Sequence, residues 1–304
     1  MALNTSIINR IANDDLPTLF RACDQASVSA QKQYVGLTVA SLSLLIAAAA
    51  VASLTLNDTW DKSVLAIISA VVLIISIALI VAIRLSKLEQ AWYDGRAIAE
   101  SVKTLAWRYM TRTEPFSNTQ PDRIDELFLS ELKSIFLQRK AFAIRLGGQS
   151  AIGQCITDKM RQMRNLGVED RKRLYLSERI GDQRKWYGDK AEYNRRSVNR
   201  MFIVIVVLHV LAILSAVAIV RWPEFPLNPI GIFITMATAF LAWTQMKRHQ
   251  ELAQSYAVAA QDLGFIEQQA SATMTDEQLS LFVANSENAI SREHTLWRAR
   301  RCVE

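Results

Sequence analysis

The chain has 304 residues, of which 51% are apolar and 21% are charged, and its 35 basic residues outnumber its 29 acidic ones. Three widely separated cysteines exclude a disulfide framework. The basic excess alone would suit nucleic acid, but acidic residues are interleaved with the basic ones through the central region. We therefore expect no nucleic-acid binding and interpret the charges as solvated helix faces with some attraction to anionic lipid.

Four long apolar runs, arranged as two closely spaced pairs, occupy residues 34–56, 63–83, 201–220 and 230–243. Each reaches or approaches the roughly 20 apolar residues that an α-helix needs to cross a bilayer. None contains Asp, Glu, Lys or Arg. The loops within each pair are short, so each pair predicts a transmembrane hairpin.

These runs predict an all-α integral membrane protein with four transmembrane helices, arranged as two hairpins with long cytoplasmic helical extensions. The alternative is a soluble protein with very apolar buried helices, whose runs would usually be shorter and broken by polar residues. The fourth run is the weakest, because it is short and contains Thr235 and Thr238.

Basic residues predict the orientation in the membrane. The two hairpin loops contain only Lys62 and Arg221, whereas residues 84–200 are rich in Lys and Arg. Cytoplasmic segments carry such an excess, so we expect a multi-pass protein of the inner (plasma) membrane with both termini in the cytoplasm. Three tryptophans near the run ends are expected to anchor the spans at the headgroups: Trp60, Trp222 and Trp243.

In the first half, Asp14-Asp15-Leu16-Pro17 predicts a helix start, because acidic caps and a first-turn proline favour one. The helix of the second run is predicted to continue unbroken to about Arg112, before Glu114-Pro115 ends it. Two amphipathic helices are expected to follow, over residues 122–144 and 150–165.

In the second half, a helix is predicted to start near Val168 and to run into the third span. The fourth span is expected to continue past Lys247-Arg248 into a long helix, and a last helix should start at Thr275-Asp276. The two halves therefore repeat one layout, and we divide the chain into a two-span unit at 1–113, a helical connector at 114–166 and a second two-span unit at 167–304. Both hairpins start from the same side, unlike the inverted repeats of many transporters.

Five residues before the third span lie near one face of the predicted helix, because they are spaced by three and four. These residues are Tyr175, Arg179, Gln183, Trp186 and Lys190. Aromatic, Arg and Gln side chains on one face favour packing against a partner helix. Direct ligand binding is the alternative.

Inside the spans, small and weakly polar residues recur at helical spacing. Gly231, Thr235 and Thr238 share a stripe of the fourth span, and His209 is the only ionisable side chain within any span. Such residues are typical of close helix packing. The functional alternative is that they line a water-filled pore in an oligomer, since an intramembrane ionisable residue is by default a candidate site.

Catalysis is not expected. The sequence has no phosphate-cradling glycine loop, no His/Cys metal cluster and no nucleophile elbow, so we assign no catalytic, cofactor-binding or metal-ligating residue. Glu287, Glu293 and His294 fall on one predicted helix, and we interpret them as a surface face.

An ordered set of residues around the second span pair resembles the SLATT domains, two-transmembrane effector domains associated with SMODS and SLOG proteins in bacteria. The set before the spans is Tyr175-Leu176, Glu178-Arg179-Ile180, Asp182-Gln183, Trp186-Tyr187 and Lys190-Ala191, and the set after them is Leu252, Tyr256, Ala259, Leu263, Glu287, Ile290-Ser291, Glu293-His294 and Trp297. The first half looks like a second, divergent SLATT unit, with Trp92, Arg96, Ala99-Glu100 and Trp107 after its span pair.

The resemblance implies an oligomeric membrane effector of a prokaryotic conflict (anti-phage) system. Such an effector would form a pore or disrupt the inner membrane. It would be triggered by a separate sensor protein or a nucleotide second messenger, because no sensor domain is fused here. The alternatives are a non-conducting membrane scaffold that recruits a cytoplasmic partner and a housekeeping ion channel.

Overall fold

The computed structural model describes residues 10–54, 59–117, 121–138, 142, 146, 153–224, 227–270 and 273–299. The regular structure of these residues is helical, apart from one isolated antiparallel bridge between Leu54 and Leu227, and the all-α prediction is confirmed. The α-helices are α1 (Thr18–Ala52), α2 (Thr59–Ser86), α3 (Leu88–Thr111), α4 (Pro121–Leu137), α5 (Asp158–Arg164), α6 (Val168–Tyr175), α7 (Asp182–Arg221), α8 (Ile230–Lys247), α9 (His249–Gln268) and α10 (Asp276–Ala299).

The chain divides into two compact units, and each draws on both halves of the sequence. The core unit comprises Met1–Ala30, Glu89–Asp189 and Ser255–Glu304. The span unit comprises Gln31–Leu88 and Lys190–Gln254. Helices α1, α7 and α9 contribute residues to both units.

Three helical stretches of the described residues are long and apolar enough to cross a membrane: Thr18–Ala52, Lys62–Thr111 and Val168–Arg221. Little of their most apolar windows is buried within the chain, so these surfaces are left for lipid or for other protein. Helix α8 covers the fourth predicted span but is not among the helices that are long and apolar enough to cross a membrane. A fourth span therefore stays a prediction.

Two of the predicted continuous helices are interrupted by a basic residue in the left-handed conformation. Lys87 (φ 49°) separates α2 from α3, and Arg248 (φ 52°) separates α8 from α9. The second span continues to Thr111, close to the predicted Arg112, but the prediction that its helix is unbroken is wrong at Lys87. Helix α8 is followed by α9, as predicted, after the turn at Arg248. Positive φ is uncommon for residues other than glycine. Because neither break contains a glycine or a proline, the breaks could not be predicted from the sequence. The helix dipole favours a cation just past a helix C-terminus, which is where Lys87 and Arg248 lie.

The long helix before the third span contains a π turn. Helix α6 begins at Val168, as predicted, and Leu176–Gly181 then adopts a π turn before α7 begins at Asp182. A π turn displaces the side chains that follow it around the helix, and such turns are frequent at functional sites. This one carries Arg179.

The connector holds shorter helices than predicted. Helix α4 ends at Leu137, and α5 begins only at Asp158, because the Thr157 hydroxyl caps the N–H of Met160 at 3.2 Å. Gly153, with φ 154°, abuts the side chain of Thr18, which leaves no room for a Cβ. Residues 139–141, 143–145 and 147–152 of the predicted helices lie outside the described residues.

In the span unit, two serines join the first hairpin. The hydroxyls of Ser41 on α1 and Ser76 on α2 lie 3.1 Å apart, and both residues are buried. Each side chain can donate and accept, so neither polar group is left unsatisfied in an apolar setting. Such contacts between membrane helices contribute roughly 0.6 kcal/mol on average.

In the core unit, α3 is the most enclosed helix, with Ile98, Val102, Ala106 and Met110 almost inaccessible to solvent. Gly95 on this helix permits the closest approach of its neighbours. A Cβ added there would lie 2.7 Å from a ring carbon of Phe142 and 3.1 Å from the carbonyl oxygen of Cys23.

A pair of glycine substitutions tests this packing. We expect Gly95→Ala to destabilise the protein by about 1–3 kcal/mol, because the added methyl overpacks the contact with backbone. Gly188→Ala is the matched control: Gly188 lies within α7 with nothing within 4 Å of the added Cβ, so it should stabilise by roughly 0.5–1 kcal/mol. Thermal denaturation midpoints in detergent measure both, and a shift of the same sign for the two would contradict the packing described.

Candidate functional site

Glu287 is the centre of a buried polar network in the core unit. Its carboxylate on α10 accepts two hydrogen bonds from Arg179, from Nε at 2.9 Å and Nη2 at 2.8 Å. The Thr104 hydroxyl of α3 donates to the same carboxylate at 2.7 Å, and the Tyr175 hydroxyl of α6 donates at 3.1 Å. The network therefore joins three helices and the π turn, and it includes residues from both halves of the sequence.

The two charged residues of the network are closed to water. Arg179 is 1% exposed and Glu287 is 0% exposed, whereas Thr104 is half-buried. The ring of Tyr175 meets the ring of Trp107 edge-on at 5.7 Å and that of Phe282 at 6.2 Å, so aromatic side chains pack against it. A paired, hydrogen-bonded charge is tolerated in such a setting, whereas an unpaired one is very costly.

The charges in this network stabilise one another. Burial alone would raise the pKa of the Glu287 carboxyl, but the Arg179 charge and three hydrogen-bond donors outweigh it, so the pKa lies below the usual range. Burial raises the pKa of the Tyr175 hydroxyl, and the Glu287 charge raises it further. Tyr175 therefore remains a hydrogen-bond donor, and Glu287 remains an anion.

The interpretation of Glu287 as part of a surface face is wrong. Its helical spacing with Glu293 and His294 suggested a polar stripe, but the buried Arg179 makes an inward carboxylate favourable at this position. The side chains of Glu293 and His294 lie outside the described residues.

The five residues predicted to share a packing face lie in different surroundings. Tyr175, Arg179 and Gln183 lie in the interior of the core unit. Trp186 stacks edge-on with Tyr256 at 5.3 Å, on the opposite helix α9. Lys190 falls in the span unit, is exposed and reaches over the ring of Tyr193. The π turn contributes to this divergence, since it breaks regular spacing at three and four residues.

Two further buried arginines bind the carbonyl end of α3. Arg164 donates to the Tyr109 carbonyl at 2.6 Å and to the Phe116 carbonyl at 3.0 Å. Arg171 donates to the Thr111 carbonyl at 2.8 Å and pairs with Asp276. The last carbonyls of a helix lack intrahelical partners, and cations are favoured there. Sequence reasoning missed both residues, because they lie among other basic residues in the sequence and nothing there distinguishes the buried ones.

The candidate pore-lining residues occupy the outside of the span unit. His209, Gly231 and Thr238 are exposed, and Thr235 is half-buried. The Thr238 hydroxyl donates to the Ile234 carbonyl at 2.9 Å, so its donor group is satisfied by its own helix. His209 Nδ1 lies 2.8 Å from the Ile205 carbonyl. These side chains therefore face whatever surrounds the chain rather than a space within it.

Of the expected membrane anchors, Trp222 and Trp243 each lie close to a cation. The Arg221 guanidinium lies 5.7 Å from the Trp222 ring centre, and Lys247 Nζ lies 4.9 Å from that of Trp243. Trp60 belongs to the first turn of α2, but its side chain lies outside the described residues.

A buried histidine that was not singled out from the sequence, His249, lies in the span unit at the start of α9. His249 Nδ1 lies 2.7 Å from Asn194 Oδ1, and Asn194 Nδ2 donates to the Lys190 carbonyl at 2.7 Å. The second bond fixes Asn194 Oδ1 as the acceptor, so His249 Nδ1 carries a proton. Burial lowers the pKa of His249, and the charge of Lys247 lowers it further.

Metal binding has no support in the described residues, where no three His, Cys, Asp or Glu side chains are grouped as ligands.

A double-mutant cycle tests the buried pair. Arg179→Met and Glu287→Leu should each destabilise the protein by about 3–5 kcal/mol, because each leaves an uncompensated buried charge. The double variant should lose much less than the sum of the two. Unfolding in denaturant measures all three, and losses that simply add would show that the two charges do not stabilise each other.

Acidification tests His249. Its lowered pKa means that the folded state favours the neutral ring, so its contribution to stability is complete above the unfolded pKa of about 6.5. This contribution is lost as the pH falls through 6.5 towards the lower folded pKa. Wild type should therefore lose thermal stability over this interval by more than His249→Gln, which keeps a hydrogen-bonding side chain but cannot titrate. Parallel pH profiles would contradict this.

Comparison with known proteins finds two family models in tandem along the chain. SMODS and SLOG-associating 2TM effector domain 3 matches residues 17–172, and SMODS and SLOG-associating 2TM effector domain 1 matches residues 175–297. No curated protein and no solved structure matches the chain. The two matches adjoin one another, and the Glu287 network links residues of both. The chain therefore belongs to the SLATT family of two-transmembrane effector domains and carries two of these domains in tandem.

Proposed function

We propose that this protein is an oligomeric effector of the inner membrane that forms a pore, or otherwise disrupts the bilayer, in a prokaryotic defence system. Family membership supports the coarse reading, because both matched domains are membrane effectors with two spans. The proposal adds oligomerisation, conduction and a trigger.

We infer that α8 is the fourth span, because two domains of two spans each would supply four. Its 18 residues extend about 27 Å as an α-helix, close to the roughly 30 Å of the hydrocarbon layer. The short connection from α7 makes the two helices a hairpin, and the chain near Asn228 bonds to Ser53 at the end of α1. An even number of spans would place both termini on the same side of the membrane, and the many Lys and Arg of residues 84–200 favour the cytoplasmic side.

The observation that carries oligomerisation is the exposure of His209 within an apolar helix. Of its two ring nitrogens, Nδ1 faces the Ile205 carbonyl, and Nε2 also requires a polar partner or water. Polar and ionisable groups in a bilayer almost always face other protein or a water-filled cavity. A single chain leaves His209 towards lipid, whereas assembly would place it, with Gly231 and Thr238, at an interface or a lumen.

A trigger would act on the core unit. The buried network of Arg179 and Glu287 lies in this unit. Helix α7 runs from the core unit, where it contains Gln183, into the span unit, where it contains His209. A separate sensor protein or a nucleotide second messenger that altered the core unit would thus act on a helix shared with the spans. Such continuity makes coupling physically feasible.

A non-conducting scaffold is the second candidate. The core unit exposes large apolar side chains, among them Val258 and Phe265, that would suit a cytoplasmic partner. A scaffold would retain membrane insertion and lack ion flux, which separates it from the effector. A housekeeping channel would conduct without toxicity to the cell.

Ion flux through purified protein in liposomes tests the proposal, measured alone and with a panel of cyclic nucleotides. We expect protein-dependent flux, and His209→Leu should reduce it severalfold, because it removes the polar group from the assembled interior. Val210→Leu, at a neighbouring exposed apolar position, is the matched control and should leave flux unchanged.

Absence of flux from correctly inserted protein, across the whole panel, would favour the scaffold. Equal flux through His209→Leu and Val210→Leu would remove His209 from the conducting path. In cells, overexpression should collapse the membrane potential if the protein is an effector.

A further inference from the structure

The joint between helices α8 and α9 consists of a single residue. Helix α8 ends at Lys247, α9 begins at His249, and Arg248 between them has φ 52° and ψ 38°. The N–H of Arg248 donates to the Thr244 carbonyl at 2.9 Å, and its carbonyl accepts from the Leu252 N–H at 3.0 Å. Because the left-handed region is uncommon for a residue with a Cβ, contacts around the joint must hold it in this conformation.

A hydrogen bond to α7 fixes the joint from one side. His249 Nδ1 donates to Asn194 Oδ1 at 2.7 Å, and we call this hydrogen bond the α9 latch. His249 is 6% exposed and Asn194 is 4% exposed, so the bond is formed away from water. Asn194 is itself fixed, because its Nδ2 donates to the Lys190 carbonyl at 2.7 Å. All three residues belong to the span unit, close in sequence to the points at which α7 and α9 pass into the core unit.

The charges that face the imidazole from the neighbouring helices are positive. Lys247 at the end of α8 acts on the ring and lowers its pKa, in the same direction as burial does. On α7, the Tyr193 ring meets the imidazole at 6.3 Å, and the Lys190 ammonium lies over the other aromatic partner, 5.8 Å from the centre of the Tyr193 ring. Neither helix therefore offers the imidazole an anion.

The nearby carboxylate of α9 is already engaged. Glu251 pairs with Arg248 at 2.8 Å. Among the residues that the structure describes, no carboxylate forms an ion pair with His249. The latch is thus built for a neutral ring, whose Nδ1–H is satisfied by Asn194.

A proton on Nε2 of His249 changes the balance at the latch. It would place a cation in a buried site beside the charge of Lys247, without a carboxylate to compensate it. An unpaired charge is much less costly in water than in a buried site. The protonated ring is therefore more stable outside its site, where the hydrogen bond to Asn194 is broken.

We propose that the α9 latch makes the joint between α8 and α9 sensitive to protons: the latch is closed near neutral pH and opens on acidification. Opening releases the first turn of α9 from α7 and frees the joint at Arg248. Because α8 lies directly before this joint, the change alters the flux through the spans. This inference goes beyond the proposed function, since its signal is a proton rather than a sensor protein or a nucleotide.

Hydrogen–deuterium exchange of the full-length protein in detergent tests the latch without any need for conduction. The readout is the backbone amide of Leu252 and the two amides that follow it, which close the first turn of α9. At pH 5.5, one unit below the usual imidazole pKa of about 6.5, opening should increase by up to about tenfold relative to pH 7.5. The rates are corrected for the intrinsic effect of pH on exchange.

Replacing the titrating group is the first control. His249→Gln keeps a side chain that can donate to Asn194 but cannot titrate, so the increase at pH 5.5 should disappear. His209 and His294 remain in this variant, so a response that came from either would persist. An equal increase in wild type and His249→Gln would overturn the proposal.

Two lysine variants keep the test decisive if His249→Gln does not fold. Lys247→Gln removes the charge that acts on the imidazole, so its increase at pH 5.5 should be smaller than that of wild type. Lys190→Gln is the matched control: it removes a charge over Tyr193 and keeps the carbonyl that fixes Asn194, so its increase should equal that of wild type. Equal increases in the two lysine variants would also overturn the proposal.

Flux through liposomes at the same two pH values separates this inference from the proposed function. Wild-type flux should change between pH 7.5 and pH 5.5, whereas His249→Gln flux should not. Acid-dependent exchange in a protein that conducts at neither pH would uphold the latch and contradict the pore. Flux together with equal exchange in wild type and His249→Gln would uphold the pore and overturn the latch.

Discussion

The buried pair of Arg179 and Glu287 is the interaction on which the core unit depends. Its two charges are out of water, and only their mutual bidentate contact, with Thr104 and Tyr175, makes that position tolerable. The pair fixes α10 against the π turn, and the hydrogen bond from Thr104 to Glu287 links residues of the two SLATT domains. The two domains follow one another along the sequence, and the core unit contains residues of both.

The same constraint, that polar groups removed from water need partners, explains much of the span unit. Ser41 and Ser76 satisfy each other, and Thr238 is satisfied by its own helix. His209 is the exception, because an exposed imidazole among apolar side chains is satisfied only in part. Assembly would resolve this exception, which is the reason that we propose an oligomer.

Much of the fold could be predicted from the sequence, because long apolar runs and acidic helix starts are strong local signals. The starts of α6 at Val168 and α10 at Asp276 are examples. The breaks at Lys87 and Arg248 could not, since a basic residue gives no sign that it will adopt a positive φ. The burial of Glu287 could not be predicted either, because it depends on the pairing with Arg179. Arg179 lies far away in the sequence and within a π turn.

Single-channel recording in planar bilayers is the most direct test of a conducting oligomer. The account predicts protein-dependent current across the bilayer. Discrete steps of constant size would identify a pore, and irregular bursts would identify disruption of the lipid. A bilayer that stays electrically silent, with correctly inserted protein and each candidate trigger in turn, would contradict the account.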